Sequence, residues 1–264
     1  MNNCEYFAQS QKADSFSSMH EHKRLLVIGN AWDAGSAKVL TSLNFDALAT
    51  TSAGLALSLG RRDGEGLLSR DESLFNASAI AAATHLPVTA DLENCYGIDP
   101  DECAETILLA SRTGVVGGSI EDSTNNSADP IFSLEKALER VKAAVEAAKS
   151  LPFKFTLTAR AENLFHGRND LKDTLRRLEA YADAGADVLF APGFNTRQEV
   201  EAAVKAVFPL PLNVMMGMPN SNFTLSMLED MGVKRVSFGA SFLRISYNAV
   251  QNAAFQALRK ETSL

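Results

Sequence analysis

Asp91 and Glu93 stand two residues apart in the run LPVTADLENCYG, and Glu121 ends a later apolar run, VVGGSIE. Along an extended segment, residues two apart point to the same side, so the first two carboxylates share a face. Three carboxylates crowded into a partly dry site repel one another unless protons or a cation compensate. Oxygen donors without histidine or thiolate select a hard ion, Mg²⁺ or Mn²⁺, over zinc. Mg²⁺ keeps several of its waters, so some of these acids would act through water. Taken singly, each acid reads more readily as a helix cap or the partner of a rim lysine. A metal site is indicated because all three end or follow apolar, strand-like runs.

Other residues fall at comparable places. Arg160 ends FKFTLTAR, with Glu162 two residues on. A guanidinium there can clamp a carboxylate or phosphoryl group through two parallel hydrogen bonds, or pair with Glu121 or Glu162. Ser52, Ala53 and Gly54 form a turn of small residues whose backbone N–H groups can cradle an anion. The same segment also reads as an ordinary tight turn. His166, in the loop Phe165-His166-Gly167-Arg168, is either an acid/base group or a solvated side chain. His20, His22 and His85 read as structural or exposed.

These residues need a scaffold that brings them together. Short apolar runs alternate with amphipathic stretches along the chain. The strand candidates are 24–29, 47–51, 87–90, 116–120, 154–158, 187–190, 211–214 and 235–238. Most are continuously apolar, as expected of strands covered on both faces. Helix candidates are 34–42, 69–84, 100–113, 133–149, 171–184, 198–207, 225–231 and 242–259. Asp33 and Asp99 stand as N-caps, Pro100 at a first helical position, and Ser69-Arg70-Asp71-Glu72 as a capping box. Gly185 and Gly232 each stand between a helix and a strand, as left-handed C-caps do. Eight regular units predict an α/β fold, a (β/α)8 barrel, over an open doubly wound sheet. In such a barrel the active site lies at the carboxyl ends of the strands, where the acids and Arg160 fall.

Composition sets further bounds. The 264 residues carry a formal net charge of -7 and are 46% hydrophobic. An acidic chain without a basic face argues against nucleic acid as a partner. A small anionic carboxylate remains open as substrate, because pocket charge outweighs total charge. No apolar run approaches a membrane span, and the polar N-terminus lacks a signal-peptide core. Cys4, Cys95 and Cys103 fit neither a CxxC pair nor a zinc site, and read as free thiols in a reducing compartment. A cytoplasmic protein is the expectation. Residues 1–264 read as one barrel domain, with 1–23 as an N-terminal extension and 240–264 as a C-terminal helix.

The runs NAWDAGSAKVL, TTSAGLALSLGRRDG, LPVTADLENCYG, SIED and LTARAEN, in this order and spacing, resemble the isocitrate lyase/phosphoenolpyruvate mutase superfamily. The resemblance extends from about residue 26 to 245. It implies that Asp91 lies closest to Mg²⁺ and that Glu93 and Glu121 hold metal-bound waters. It also implies that Arg160 contacts the substrate's anionic group and that Ser52, Ala53 and Gly54 bind a carboxylate through backbone amides. Asp63, in Arg61-Arg62-Asp63-Gly64, matches a mobile acid near metal and substrate, and Asn213 a substrate-binding asparagine. The family makes or breaks C–C or P–C bonds next to a 2-keto acid, with Mg²⁺ stabilising an enolate-type species. Members are commonly homotetramers in which a C-terminal helix packs on a neighbour. A homo-oligomer, dimer or tetramer, is therefore expected here.

The departures narrow this. Lyases of the family carry a Lys-Lys-Cys-Gly-type segment after the fourth strand, and phosphonate-processing members a lysine soon after the IED motif. Residues 121–130 here contain neither Cys nor Lys, and the loop is short. Cys95 stands where the family has glycine, either as a substitute acid/base thiol or as a packed free thiol. The expected activity is Mg²⁺-dependent cleavage or decarboxylation at a C–C bond of a small 2-keto or 2-hydroxy di- or tricarboxylate. The alternatives are a phosphonopyruvate/phosphoenolpyruvate-type mutase or hydrolase, and a non-catalytic 2-keto-acid-binding protein.

Overall fold

In the computed structural model, eight parallel strands pair each with the next and β1 closes on β8. The structure describes residues 3–218 and 222–258, without the side chains of 3–5. The end of the C-terminal helix expected at Arg259, and the segment beyond it, lie outside the described residues. The strands are β1 (Leu26–Asn30), β2 (Ala47–Ala49), β3 (Val88–Asp91), β4 (Gly117–Glu121), β5 (Thr156–Arg160), β6 (Val188–Phe190), β7 (Leu212–Met215) and β8 (Arg235–Ser237). This is the (β/α)8 barrel that the alternation predicted. Several strands run one or two residues further toward the carboxyl end than expected. Asp91, Glu121 and Arg160 are thus the last residues of their strands, held in register by the parallel ladder: Asp91 faces Ser119, and Glu121 faces Arg160.

The outer helices are α1 (Asn3–Met19), α2 (Ala34–Ser42), α3 (Ser52–Ser58), α4 (Arg70–Ala82), α5 (Pro100–Ala110), α6 (Leu134–Lys149), α7 (Leu171–Asp183), α8 (Arg197–Val207), α9 (Leu225–Asp230) and α10 (Ser241–Leu258). Asp33 caps α2, and Ser69 with Glu72 closes a capping box on α4. Gly185 and Gly232 take φ of 99° and 86° as the chain leaves α7 and α9, a conformation glycine adopts without strain.

Two helices were not expected. The first is α3, which begins at the Ser52 turn itself. The second is α1, within the segment read as an extension. Its polar composition gives little amphipathic signal, and long-range contacts fix it. Ala13 and Phe16 are fully buried. Gln9 Nε2 donates to the carbonyls of Ser111 and Val115, both at 2.8 Å. Phe16 packs beneath β4, 3.3 Å from where a Cβ on Gly117 would stand. The helix thus closes the amino-terminal end of the barrel, opposite the strand ends that carry the acids. Among the described residues, no helix is long and apolar enough to cross a membrane.

Candidate active site

The carboxyl ends of β3, β4 and β5 converge on one guanidinium. Arg160 Nη1 lies 3.1 Å from Glu121 Oε2 and 3.7 Å from Asp91 Oδ1, while Nε bonds Glu162 Oε1. Both pairings open to Arg160 in the sequence are made at once. Its charged plane is flanked by the rings of Phe190, 5.2 Å away, and Phe165, 5.9 Å away.

Asp91 is fixed from several sides. Ser52 donates both its N–H, at 3.0 Å, and its hydroxyl, at 2.9 Å, to Oδ2. Ser119 Oγ and the Glu93 N–H each reach Oδ1 at 3.4 Å. Thr51 caps α3 by accepting from Gly54 N at 3.1 Å. The expectation of a turn with free amides is thereby corrected. Those of Ser52 and Gly54 are used within the protein, because the turn is the first turn of a helix. Only Ala53 is left, at a position whose N–H has no intrahelical acceptor.

Glu93 follows β3 in a left-handed conformation, φ 48°, and Cys95 and Tyr96 repeat it at 60° and 59°. Non-glycine residues adopt this region at a cost, so the surroundings must hold it. Arg140 of α6, itself buried, does so by donating to the carbonyls of Gly97, at 2.6 Å, Ile98, at 2.7 Å, and Asn94. Asn94 Nδ2 ties the same loop to Ser123 O at 3.1 Å.

The electrostatics are those of acids packed too closely for their charge. Burial first, then the Asp91 and Asp63 charges, pushes Glu93 up to about 8. Burial raises Glu121 well above the carboxylate range against the opposing pull of Arg160, and raises Glu162 to about 7. Among the described residues, no three His, Cys, Asp or Glu side chains converge closely enough to ligate one ion directly. Direct three-carboxylate ligation is not preformed, because the Arg160 guanidinium stands among these acids.

The other sequence candidates are spread around this centre. Asp63 sits on an exposed loop, yet burial of its carboxyl and the Asp91 charge raise its pKa, and Arg160 and Arg244 act against that. Asn213 is buried in β7, in the wall of a narrow cavity of about 70 Å³ that Asp91, Ser119 and Arg160 also line. His166 is outside that wall. It lies on the rim with Nε2 3.5 Å from Ser123 Oγ, and burial lowers its pKa. Cys95 is fully buried, and the neighbouring Cys103 thiol and burial push its own thiol up, so the packed-thiol reading holds.

Asp122, directly after Glu121, was not singled out by the sequence. It is buried, and Oδ2 accepts from Arg177 Nη1 at 2.8 Å and Tyr181 Oη at 2.7 Å. Its Oδ1 accepts the Glu162 N–H at 2.8 Å, so it sets the chain that carries Glu162. Only its position directly after Glu121, the last residue of β4, could have signalled a different face. The following loop folds back as a short hairpin, with Ser123 bridging Ile131 and Thr124 N bonding Pro130 O.

Residues 16–258 match the family described as phosphoenolpyruvate phosphomutase. The uncharacterized protein Rv1998c of Mycobacterium tuberculosis is 31% identical over 248 residues, 93% of this chain and 88% of that one. An oxaloacetate decarboxylase of Bradyrhizobium diazoefficiens is 31% identical over 72% of this chain and 66% of its own. Among solved structures, a putative lyase/mutase from Burkholderia cenocepacia is 47% identical with a TM-score of 0.93, over 97% of this chain and 90% of that one. Oxaloacetate acetylhydrolase with its product oxalate is 28% identical with a TM-score of 0.86, over 94% and 86%.

Proposed function

The chain belongs to the phosphoenolpyruvate phosphomutase family, in a superfamily of lyases and mutases, and from that premise we propose that it is a divalent-cation-dependent lyase or decarboxylase. Its substrate is a small 2-keto or 2-hydroxy dicarboxylate, cleaved at a C–C bond beside the keto or hydroxyl carbon. The observation that carries this reading is the ring of Asp91, Glu121 and Glu162 around Arg160, with Glu93 beside it, at the barrel mouth.

The donor chemistry fits Mg²⁺ or Mn²⁺. The acids are oxygen donors, and Glu93, Glu121 and Glu162 have raised pKa values that nearby positive charge would relieve. Asp91 would hold the ion directly, and Glu93 and Glu121 through water, since the structure has no preformed three-acid cage. A divalent cation bound there supplies the electron sink that cleavage beside a carbonyl requires. Arg160 clamps the substrate's anionic group, and the Ala53 amide and Asn213 orient the remainder. Asp63 and His166, titratable and at the rim, are the groups placed to move a proton between substrate and solvent.

The narrow cavity favours a small acid, since pockets for drug-sized ligands run to roughly 300–1,000 Å³. The short loop without Cys or Lys favours decarboxylation, which needs a sink more than a dedicated thiol acid. The oxaloacetate decarboxylase and oxaloacetate acetylhydrolase among its relatives support the same class. Tyr247, Val250 and Leu258 share one face of α10 and are exposed, Val250 to 67% and Leu258 to 84%, and we take this apolar face as a contact with a second copy. The test is a panel of oxaloacetate, 2,3-dimethylmalate, 2-methylisocitrate and phosphonopyruvate, with Mg²⁺ and with EDTA. Pyruvate formed from oxaloacetate, lost with EDTA, is the expected result. Turnover of phosphonopyruvate alone would move the chain to P–C chemistry, and tight binding without turnover would make it a binding protein.

A further inference from the structure

We propose that Arg235 is a positioning residue that fixes the Asn213 side-chain amide for the substrate. The inference rests on the substrate-binding role given to Asn213 above. Arg235 opens β8 directly beside Asn213 of β7, and both side chains line the cavity below Asp91 and Arg160. Its Nε donates to Asn213 Oδ1 at 2.9 Å, and Nη2 to Thr158 Oγ1 at 2.9 Å. A guanidinium has donors only, so the amide must turn its oxygen toward Arg235. Nδ2 is then forced to the other side, where it donates to Ser237 Oγ at 3.0 Å. Ser237 takes one of its two N–H groups, which leaves the second for an oxygen atom in the cavity.

Nothing in the packing alone calls for a charge here. Arg235 is 5% exposed, and no described carboxylate pairs with it. Burial by itself pushes its pKa down to about 9. An ionisable neighbour below is His20, just after the end of α1. His20 Nδ1 lies 2.8 Å from Phe16 O and therefore carries the proton. Its Nε2 lone pair faces Arg235 Nη1 at 3.5 Å, so the ring meets the guanidinium as a neutral acceptor. Burial, then the Arg235 charge, holds this histidine neutral, with a pKa of about 3. An unpaired buried cation kept at a cost to stability is a departure expected at functional sites, where rigidity of a contact outweighs stability.

The experiment is a double-mutant cycle of Arg235→Met and Asn213→Ala. It is read by oxalate binding through the fluorescence of Trp32, the only tryptophan, which borders the Gly54 turn. Each single variant should weaken oxalate roughly fivefold, the worth of one hydrogen bond, and the double variant no further than Asn213→Ala alone. The melting temperature of Arg235→Met should fall, because the buried Asn213 Oδ1 and Thr158 Oγ1 lose their donor, and it is the non-additivity of the cycle that a purely structural role would not produce. Wild-type oxalate affinity in Arg235→Met, or additive losses in the double variant, overturns the proposal. If Arg235→Met does not fold, Arg235→Lys replaces it, since it keeps the charge without the planar fork, and wild-type affinity there has the same force. A wild type that neither turns over the substrate panel nor binds oxalate refutes the function proposed above. Arg235 is then judged by ¹⁵N relaxation of the Asn213 side-chain amide, rigid in the wild type and mobile in the variant, with equal rigidity overturning the inference.

Discussion

Ser52 gives two hydrogen bonds to a single oxygen of Asp91, one from its backbone N–H and one from its hydroxyl. The start of α3 and the end of β3 are therefore one unit, and the carboxylate proposed to hold the cation is aimed by the turn proposed to bind substrate. Ser52→Ala removes the hydroxyl bond and keeps the amide bond. Mn²⁺ affinity should fall roughly fivefold, as one lost hydrogen bond implies, with the melting temperature little changed. Titration calorimetry on the wild type and the variant measures both sides of this expectation, and unchanged affinity would detach Ser52 from the ion.

Arg160 is the only described cation paired directly with Asp91, Glu121 and Glu162. Arg160→Ala leaves buried Glu162 and the partly buried Asp91 and Glu121 facing one another, and breaking a buried pair costs about 3–5 kcal/mol. Mg²⁺ should recover part of that loss by supplying the missing positive charge. Thermal melts with EDTA and with Mg²⁺ read the recovery, and turnover should stay absent in either condition because the substrate clamp is gone.

The raised acids set a pH dependence whose sign follows from linkage. Glu93, at about 8, and Glu162, at about 7, hold protons in the metal-free fold that the unfolded chain has already released. Between pH 4.5 and 8 the native state binds more protons, so stability falls as pH rises through that window. Melting temperatures with EDTA should decline from pH 5 to 8.5, and Mg²⁺ should flatten the decline. Calorimetry at pH 7 in two buffers of different ionisation enthalpy should show protons released on Mg²⁺ binding. A flat profile with EDTA would contradict the electrostatic picture of the site.

Much of this was legible in the sequence, for physical reasons that differ from residue to residue. The eight strands declared themselves because a strand covered on both faces must be continuously apolar. Asp91, Glu121 and Arg160 stood out together, because several charges that end neighbouring apolar runs converge at one end of a barrel, whereas each alone has ordinary structural uses. What escaped was set by contacts between distant segments. Nothing local in the polar sequence of α1 marks Phe16 as the floor of the barrel or His20 as the partner of Arg235. The expected free amides of the Ser52 turn were already committed, because Asp91, from another strand, claims one of them. For Asp122, adjacency to Glu121 signals only an opposite face, and it is α7, distant in sequence, that places Arg177 and Tyr181 against it.

That last contact carries its own expectation. Asp122 and Arg177 form a buried pair, with side chains 2% and 6% exposed. Asp122→Ala leaves the guanidinium without that partner and frees the Glu162 amide, so stability should fall by about 3–5 kcal/mol. Urea denaturation measures it. A loss below about 1 kcal/mol, the worth of a surface pair, would show that the contact is not held in solution.

The most direct test of the account is Mn²⁺ binding followed by electron paramagnetic resonance in the wild type and in Asp91→Ala. The account predicts one bound ion per chain in the wild type, displaced by Mg²⁺, and no binding in the folded variant. A wild type that binds no Mn²⁺, or an Asp91→Ala variant that binds it equally well, would contradict a cation anchored by Asp91 at the barrel mouth.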